Sequence, residues 1–447
     1  MMKKIDFLKR LIVLLFSYLS LILQVVSFSY IWYEEYAGMI QVYFYEKGHW
    51  LVIGIYAILL FFFYQMYGAL KIGYLRSGEV LFSQIFATII MTLISYGQIS
   101  LLIGWFAEIK PIAIVFVINI VIILICTYMA DKLYRAFYPP RRLLLIHGDR
   151  EIDSILTKFR SRTDKYDIVK YIHYDADNKD NIFDKMQGDY DGVVIWDIPN
   201  VARNTLVKLA YGKGIRVYLM PKITDVLVAG SEQIHLFDTP ILLMREYALT
   251  IGQRIVKRMI DLICSSLLLL ITLPIMLITA VTVKLYDGGP ILYKQIRCTR
   301  GMKEFNIYKF RSMRVDAEKD GVARLATVAD DRITPIGRFI RKVRIDELPQ
   351  LLNILKGDMS FIGPRPERPE IISQYLEEIP EFRYRTKVKA GLAGYAQVYG
   401  KYNTTPYDKL KLDLFYIENY TTWLDFKLML LTLKILLNPE STEGVSK

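Results

Sequence analysis

The sequence predicts a membrane α/β protein in three parts: a four-helix transmembrane bundle, a small parallel α/β module, and a mainly α C-terminal domain carrying one more hydrophobic helix. Three observations predict this. Apolar stretches of spanning length fill the first third, short apolar runs then alternate with amphipathic ones, and the rest is dense in Gly, Pro, Arg and paired acids. An apolar fraction of 53% over 447 residues also exceeds the range usual for soluble proteins.

The four stretches run roughly from Leu11 to Trp32, Trp50 to Tyr67, Val80 to Phe106 and Ile112 to Ala130, each sufficient to cross ~30 Å of hydrocarbon as a helix. The basic start, Lys3, Lys4, Lys9 and Arg10, mimics a signal peptide, but no small-residue cleavage site follows, so the run reads as a retained helix. Short-loop charges orient the spans. Lys71 and Arg76 separate the second and third, and Lys132, Arg135, Arg141 and Arg142 follow the fourth; the opposite loops carry Glu34, Glu35, Glu46 and Glu108 with only Lys47 and Lys110. Everything after Arg142 is therefore expected in the cytosol.

Pro139-Pro140 ends the membrane section, and residues 1–138 form the first expected domain. Leu143 to Ile146, Ile168 to Ile172, Val193 to Trp196 and Val217 to Met220 then give a βαβ cadence and a parallel sheet, within a second domain at 139–245. A dinucleotide site needs Gly-x-Gly-x-x-Gly after the first strand, and only Gly148 is there. Tyr218 and Lys222 have the spacing of a dehydrogenase pair, yet they sit in a strand with Pro221 between them, so the match is read as accidental. Cys126, Cys264 and Cys298 form no CxxC pair and read as structural.

A fifth apolar run, Leu262 to Val283, lies in the third domain, 246–447. Lys257 and Arg258 precede it and Lys284 follows, so the positive-inside bias assigns both ends to one side. Pro274 near its middle favours a kink, with Thr272 placed to re-satisfy a freed carbonyl. The expectation is a re-entrant membrane helix over about 259–285.

The motifs follow in order: DGGPILYKQIR (Asp287 to Arg297), YKFRSM (Tyr308 to Met313), RITPIGRFIRKVRIDELPQLLNILKGDMSFIGPRPE (Arg332 to Glu367) and AGLAGYAQVYGK (Ala390 to Lys401). Over about Lys257 to Leu437 they resemble the bacterial sugar transferase family, the monotopic polyprenyl-phosphate phosphoglycosyl transferases. The first 250 residues resemble its larger members, which add four spanning helices and a degenerate Rossmann-like module.

Physically, Asp346-Glu347 precedes an apolar run ending at Lys356-Gly357, so Asp346 is expected as a helix N-cap with both acids kept ionised by the helix dipole. The resemblance implies that this pair is catalytic: Asp346 attacks the sugar-linked phosphate of a UDP-hexose, expels UMP, and holds the phosphosugar until polyprenyl phosphate takes it. Asp346 and Glu347 would hold Mg²⁺, since an anionic carboxylate must approach a diphosphate.

Arg297, Lys309, Arg311 and Arg365 are expected to bind the substrate, Arg365 because prolines on both sides restrict its presentation. Arg338, Arg341 and Lys342 suit anionic headgroups of the lipid bilayer. The resemblance adds Asp413, matching a family acid, and Gln397, in the family's glycine-rich segment, as substrate-binding residues, though Ala390 replaces a common proline and Tyr395 a common tryptophan. The stretch from Asp425 onward, with Lys427 and Lys434, reads as an interfacial helix.

The resemblance implies a multi-pass protein of the bacterial inner membrane, its catalytic domain on the cytosolic face, that initiates exopolysaccharide, capsule or O-antigen synthesis. Family analogy suggests a homodimer. The net charge of +12 is assigned to lipid and phosphate, not nucleic acid, because no aromatic platform is interleaved with the basic residues. The sugar is not readable. The competing reading is an inactive membrane scaffold for polysaccharide assembly; a membrane-anchored nucleotide-sugar dehydratase stands behind both, for want of the glycine fingerprint.

Overall fold

The computed structural model describes residues 2–40, 46–175, 182, 184–186, 188–246, 248–315, 330, 332–400 and 404–436. Lys401, Leu437 and the C-terminal tail around Ser446 lie outside the described residues. The chain divides into two compact units, Met1–Met220 and Pro221–Lys447.

In the first unit, the apolar stretches form helices α1 (Met2–Ile31), α2 (Glu46–Tyr67), α3 (Ser77–Ile103) and α4 (Ile109–Phe137). Composition placed the C-terminal ends of the first two spans within one residue, at Ile31 and Tyr67, and overran where a cap intervenes. Helix α3 stops at Ile103, short of Phe106, since Gly104 closes it with φ 79°. Neutral polar side chains cross-link the helices: Gln24 donates to Tyr64 Oη at 2.6 Å, and Thr127 to Gln84 Oε1 at 2.7 Å.

The alternating segment forms β1 (Arg141–His147), α5 (Asp153–Arg160), β2 (Tyr166–His173), β3 (Gly192–Trp196), α6 (Asn200–Gly212) and β4 (Val217–Leu219). The strands make one parallel sheet in the order β2-β1-β3-β4. Leu143 to Ile146 and Val193 to Trp196 are buried throughout, as continuous apolar runs in a parallel sheet should be. Gly148 is a packing glycine, since a Cβ there would lie 2.1 Å from the Asp197 carbonyl oxygen. Tyr218 lies in β4, and its hydroxyl accepts from Arg141 at 3.1 Å.

The second unit opens with α7 (Ile223–Ala229), the exposed hairpin β5 (Glu232–Leu236) and β6 (Thr239–Leu243), and α8 (Ile251–Asp287). Then come the hairpin β7 (Leu292–Cys298) and β8 (Glu304–Phe310), α9 (Pro335–Lys342) and α10 (Gln350–Lys356). Strand β9 (Ser360–Ile362), α11 (Pro369–Glu378), β10 (Gly391–Ala393), α12 (Tyr395–Tyr399), α13 (Pro406–Glu418) and α14 (Thr422–Leu436) complete it. Its main core gathers Phe382, Leu410, Leu414, Tyr416 and Leu428, with Ile223 and Val226 of α7 packed in.

Helix α8 is continuous over its 37 residues, with Pro274 inside. Leu268 and Leu269 pack on Phe305, Ile307, Leu351 and Ile354, while Met276, Ala280 and Val283 pack with Phe310 and Ile340. The outer face, with Leu267, Leu270, Ile271, Leu277 and Ile278, is exposed and apolar. With α1 to α4, α8 makes five helices long and apolar enough to cross a membrane, so the protein is membrane-associated.

Two expectations about this region need correction. Thr272 bonds the Leu268 carbonyl at 2.7 Å, the ordinary back-bond to the fourth residue before it, and not the Leu270 carbonyl that Pro274 frees. Lys257 and Arg258 are not free flanking charges: Lys257 is buried against Asp425, and Arg258 donates to the carbonyls of Ile354 and Leu355. Helix α14 is a core helix on one face, burying Asp425, Leu428 and Leu431, and exposes Trp423, Phe426 and Leu433 on another.

Candidate active site

Asp346 and Glu347 lie on a short helical turn, Ile345–Glu347, that precedes α10. Pro349, not Asp346, occupies the N-cap position of α10, because the turn inserts residues between the acids and the helix; Gly357 closes the helix with φ 96°. Arg344 enters the turn at φ 61°, a region costly for any residue but glycine.

Three cations from three parts of the chain meet on Glu347. Lys309 of β8 donates to its Oε1 at 2.9 Å, Arg365 to the same oxygen at 2.8 Å, and Arg344 approaches Oε2 at 3.7 Å. Burial alone would raise this carboxyl, but Arg365, Lys309 and Arg344 hold it well below its usual range.

Asp346 behaves in the opposite way. It is 7% exposed, and its Oδ1 has no hydrogen-bond partner among the described residues. Burial and the neighbouring Glu347 charge push its pKa up to about 6, against Lys309, Arg341 and Arg344. A helix dipole does not keep both acids equally ionised, as the sequence suggested: one carboxylate is neutralised by cations and the other is left poised.

Arg365 comes from the loop after β9, where prolines on either side leave carbonyls needing outside donors. Lys257 bonds Ile362 O at 2.9 Å, Gly391 N bonds Pro364 O at 2.9 Å, Arg385 bonds Arg365 O at 2.9 Å and Arg297 bonds Pro366 O at 3.2 Å. Backbones meet closely below it. A Cβ on Gly391 would lie 2.1 Å from Gly363 N, one on Gly394 2.1 Å from Gly363 O, and one on Gly363 2.4 Å from Lys389 O.

A second buried network braces the loop from Glu367. Lys409 bonds Glu367, while Arg385 and Arg297 each approach it at 3.7 Å. Arg385 also donates from Nε to Asp413 Oδ2 at 3.0 Å. Burial raises Asp413 despite Arg385 and Lys409, and lowers Arg297 to about 10 despite Glu367.

Of the residues singled out in sequence, Lys309 and Arg365 thus converge on the Asp346-Glu347 pair, and Arg297 and Asp413 join the Glu367 network. Arg311 stands apart, paired with Asp287 at the end of α8. Gln397 donates to Leu392 O at 3.2 Å, and its Oε1 is buried without a partner among the described residues. Sequence reasoning missed Glu367, Arg385 and Lys409, and missed that Lys257 faces inward. Their partners lie far away in the chain, so no local pattern marks them.

The bacterial sugar transferase family model matches residues 252–439. Over 324 residues the chain is 35% identical to the UDP-N-acetylgalactosamine-undecaprenyl-phosphate N-acetylgalactosaminephosphotransferase of Aeromonas hydrophila, an alignment covering 71% of this chain and 72% of that protein. It is 35% identical over 221 residues to the UDP-glucose:undecaprenyl-phosphate glucose-1-phosphate transferase of Escherichia coli K12, covering 48% of this chain and 47% of that protein. It is 34% identical over 238 residues to the undecaprenyl-phosphate galactose phosphotransferase of Salmonella typhimurium, covering 49% of each. The chain thus spans about half the length of the last two relatives, and the three act on different sugars. The matched region begins with α8 and contains both buried networks, and the chain belongs to the bacterial sugar transferase family and is a transferase enzyme.

Proposed function

We propose that the chain transfers a hexose-1-phosphate from a UDP-sugar to polyprenyl (undecaprenyl) phosphate, releasing UMP, as the initiating step of a surface polysaccharide. The observation that carries this reading is the buried Asp346 Oδ1, without a hydrogen-bond partner among the described residues, beside a Glu347 already neutralised by Lys309, Arg344 and Arg365. An activated carboxylate in that setting is a nucleophile toward phosphorus.

In the first step Asp346 attacks the sugar-bearing phosphorus, a new P–O bond forms, and the bond to UMP breaks with its electron pair leaving on UMP. In the second an oxygen of polyprenyl phosphate displaces Asp346, which returns as a carboxylate. Partly exposed Arg365 and Lys309 keep donors for the diphosphate. Among the described residues no group of three His, Cys, Asp or Glu side chains comes together, so a cation here would take Asp346 and Glu347 and complete its shell with phosphate and water oxygens. Mg²⁺ bound there would neutralise charge on the diphosphate. Gln397, whose Oε1 has no partner among the described residues, is the candidate to accept from a donor-substrate hydroxyl or N–H.

Helix α8 is proposed to enter and leave the cytosolic leaflet on the same side. Both of its ends bind the one folded unit, Asp261 at β9 and Asp287 at Arg311, and its outer face is apolar, which supports that reading. The middle sheet is proposed to be a degenerate Rossmann-like module, on its parallel order β2-β1-β3-β4.

The test is UMP release by the purified protein with polyprenyl phosphate, Mg²⁺ and a panel of UDP-sugars. Wild type releases UMP with at least one sugar, EDTA stops it, and Asp346→Asn lowers it by about 10³-fold or more and traps no phosphosugar. Equal background from wild type and variant would favour the inactive scaffold.

A further inference from the structure

Arg365 is only as well placed as the strand that delivers it. Strand β9 pairs with β10 on one edge, and among the described residues no strand lies on the other. Side chains of α8 take that place. Asp261 Oδ1 accepts from the Phe361 backbone N–H at 2.8 Å and from Ser360 Oγ at 3.0 Å. One turn earlier, Lys257 Nζ donates to Ile362 O at 2.9 Å, to Asp425 Oδ2 at 2.6 Å and to Tyr416 Oη at 3.1 Å. Arg258 between them donates to Ile354 O at 2.6 Å and Leu355 O at 2.7 Å, at the end of the helix that follows Asp346-Glu347.

These groups lie deep: Lys257 is 8% exposed, Asp261 3% and Asp425 3%. Two charges removed from water are a poor source of stability compared with apolar packing, but they fix direction and distance. Here they fix both walls of the site from one hydrophobic helix.

We infer that Lys257 and Asp261 are positioning residues, which tie the first turns of α8 to β9 and so hold Arg365 against Glu347. The geometry of the site is then set by how the first turns of α8 are seated on β9. The catalytic part of this inference rests on the transferase reading; the mechanical part does not.

The experiment uses the full-length protein in lipid nanodiscs and reads two quantities. One is hydrogen–deuterium exchange of the segment Ser360–Glu367; the other is kcat and KM for UMP release. Removing Lys257 alone would strand the Asp425 carboxylate, so the variant is Lys257→Met with Asp425→Leu. Asp261→Leu removes the acceptor, and Asp261→Asn keeps it.

Lys257→Met/Asp425→Leu and Asp261→Leu are expected to exchange about tenfold faster in that segment alone. Their kcat falls by about 100-fold, the loss that a misplacement of roughly 1 Å produces. KM for the UDP-sugar changes less than about twofold, and Asp261→Asn follows wild type. Unchanged exchange overturns the inference, as does loss of protection spread over the whole second unit, or an Asp261→Asn that behaves as Asp261→Leu. If the double variant does not fold, the Asp261 pair decides. If wild type releases no UMP, the transferase reading fails while exchange still decides the inference.

Discussion

Two adjacent acids with opposite electrostatics define the site at the scale of single residues. Glu347 is a counter-ion; Asp346, next to it, has cations nearby, and its Oδ1 has no hydrogen-bond partner among the described residues. Glu367 repeats the counter-ion role one network away, and it gives a prediction on stability. Burial would raise its pKa, yet Lys409, Arg385 and Arg297 outweigh burial and lower it. A depressed folded pKa gives stability that is present above the unfolded value of about 4.3 and lost as pH falls through the folded value. Glu367→Gln should therefore cost about 3–5 kcal/mol at neutral pH, because three cations lose a buried partner. Denaturant unfolding of both proteins at neutral pH and near pH 4 should show the gap narrowing in acid; a constant gap refutes the assignment.

At the scale of elements, the glycine-rich strand β10 and the proline-bounded loop after β9 are a single construction. Their backbones approach too closely for any side chain at Gly363, Gly391 or Gly394. Gly391→Ala is expected to displace the Arg365 loop, cost about 1–3 kcal/mol by overpacking, and lower UMP release. Gly252→Ala in the first turn of α8 meets nothing within 4 Å, so it should stabilise by about 0.5–1 kcal/mol through helix propensity and leave activity unchanged. Thermal melts and initial rates of the two variants check both, and a harmless Gly391→Ala would contradict the packing argument. The sequence displayed these glycines as a motif; it gave no sign that their common partner is the Arg365 loop.

At the scale of the whole molecule, five helices mark the protein as membrane-associated by length and apolar composition alone. The number of crossings is a different matter, since α8 binds its own domain at both ends. A cysteine introduced near Ser446 is expected to stay unlabelled by an impermeant thiol reagent in intact cells and to react once they are opened. Labelling in intact cells would mean that α8 crosses.

Features that depend on local pattern were legible in consecutive residues: the apolar runs of α1 to α4, the four strands of the middle sheet, and the acid pair with its neighbouring Arg and Lys. Hydrophobic period and motif order are properties of consecutive residues, and they survive without a fold. Tertiary structure alone decided which cation meets which carboxylate. Arg311 was expected beside the acid pair and goes to Asp287, whereas Lys257, read as a membrane flank, reaches Asp425 across 168 positions of chain. A charge in sequence has only a sign; its partner is chosen by packing, because burial forces each ion to find whatever opposite charge the core brings within reach.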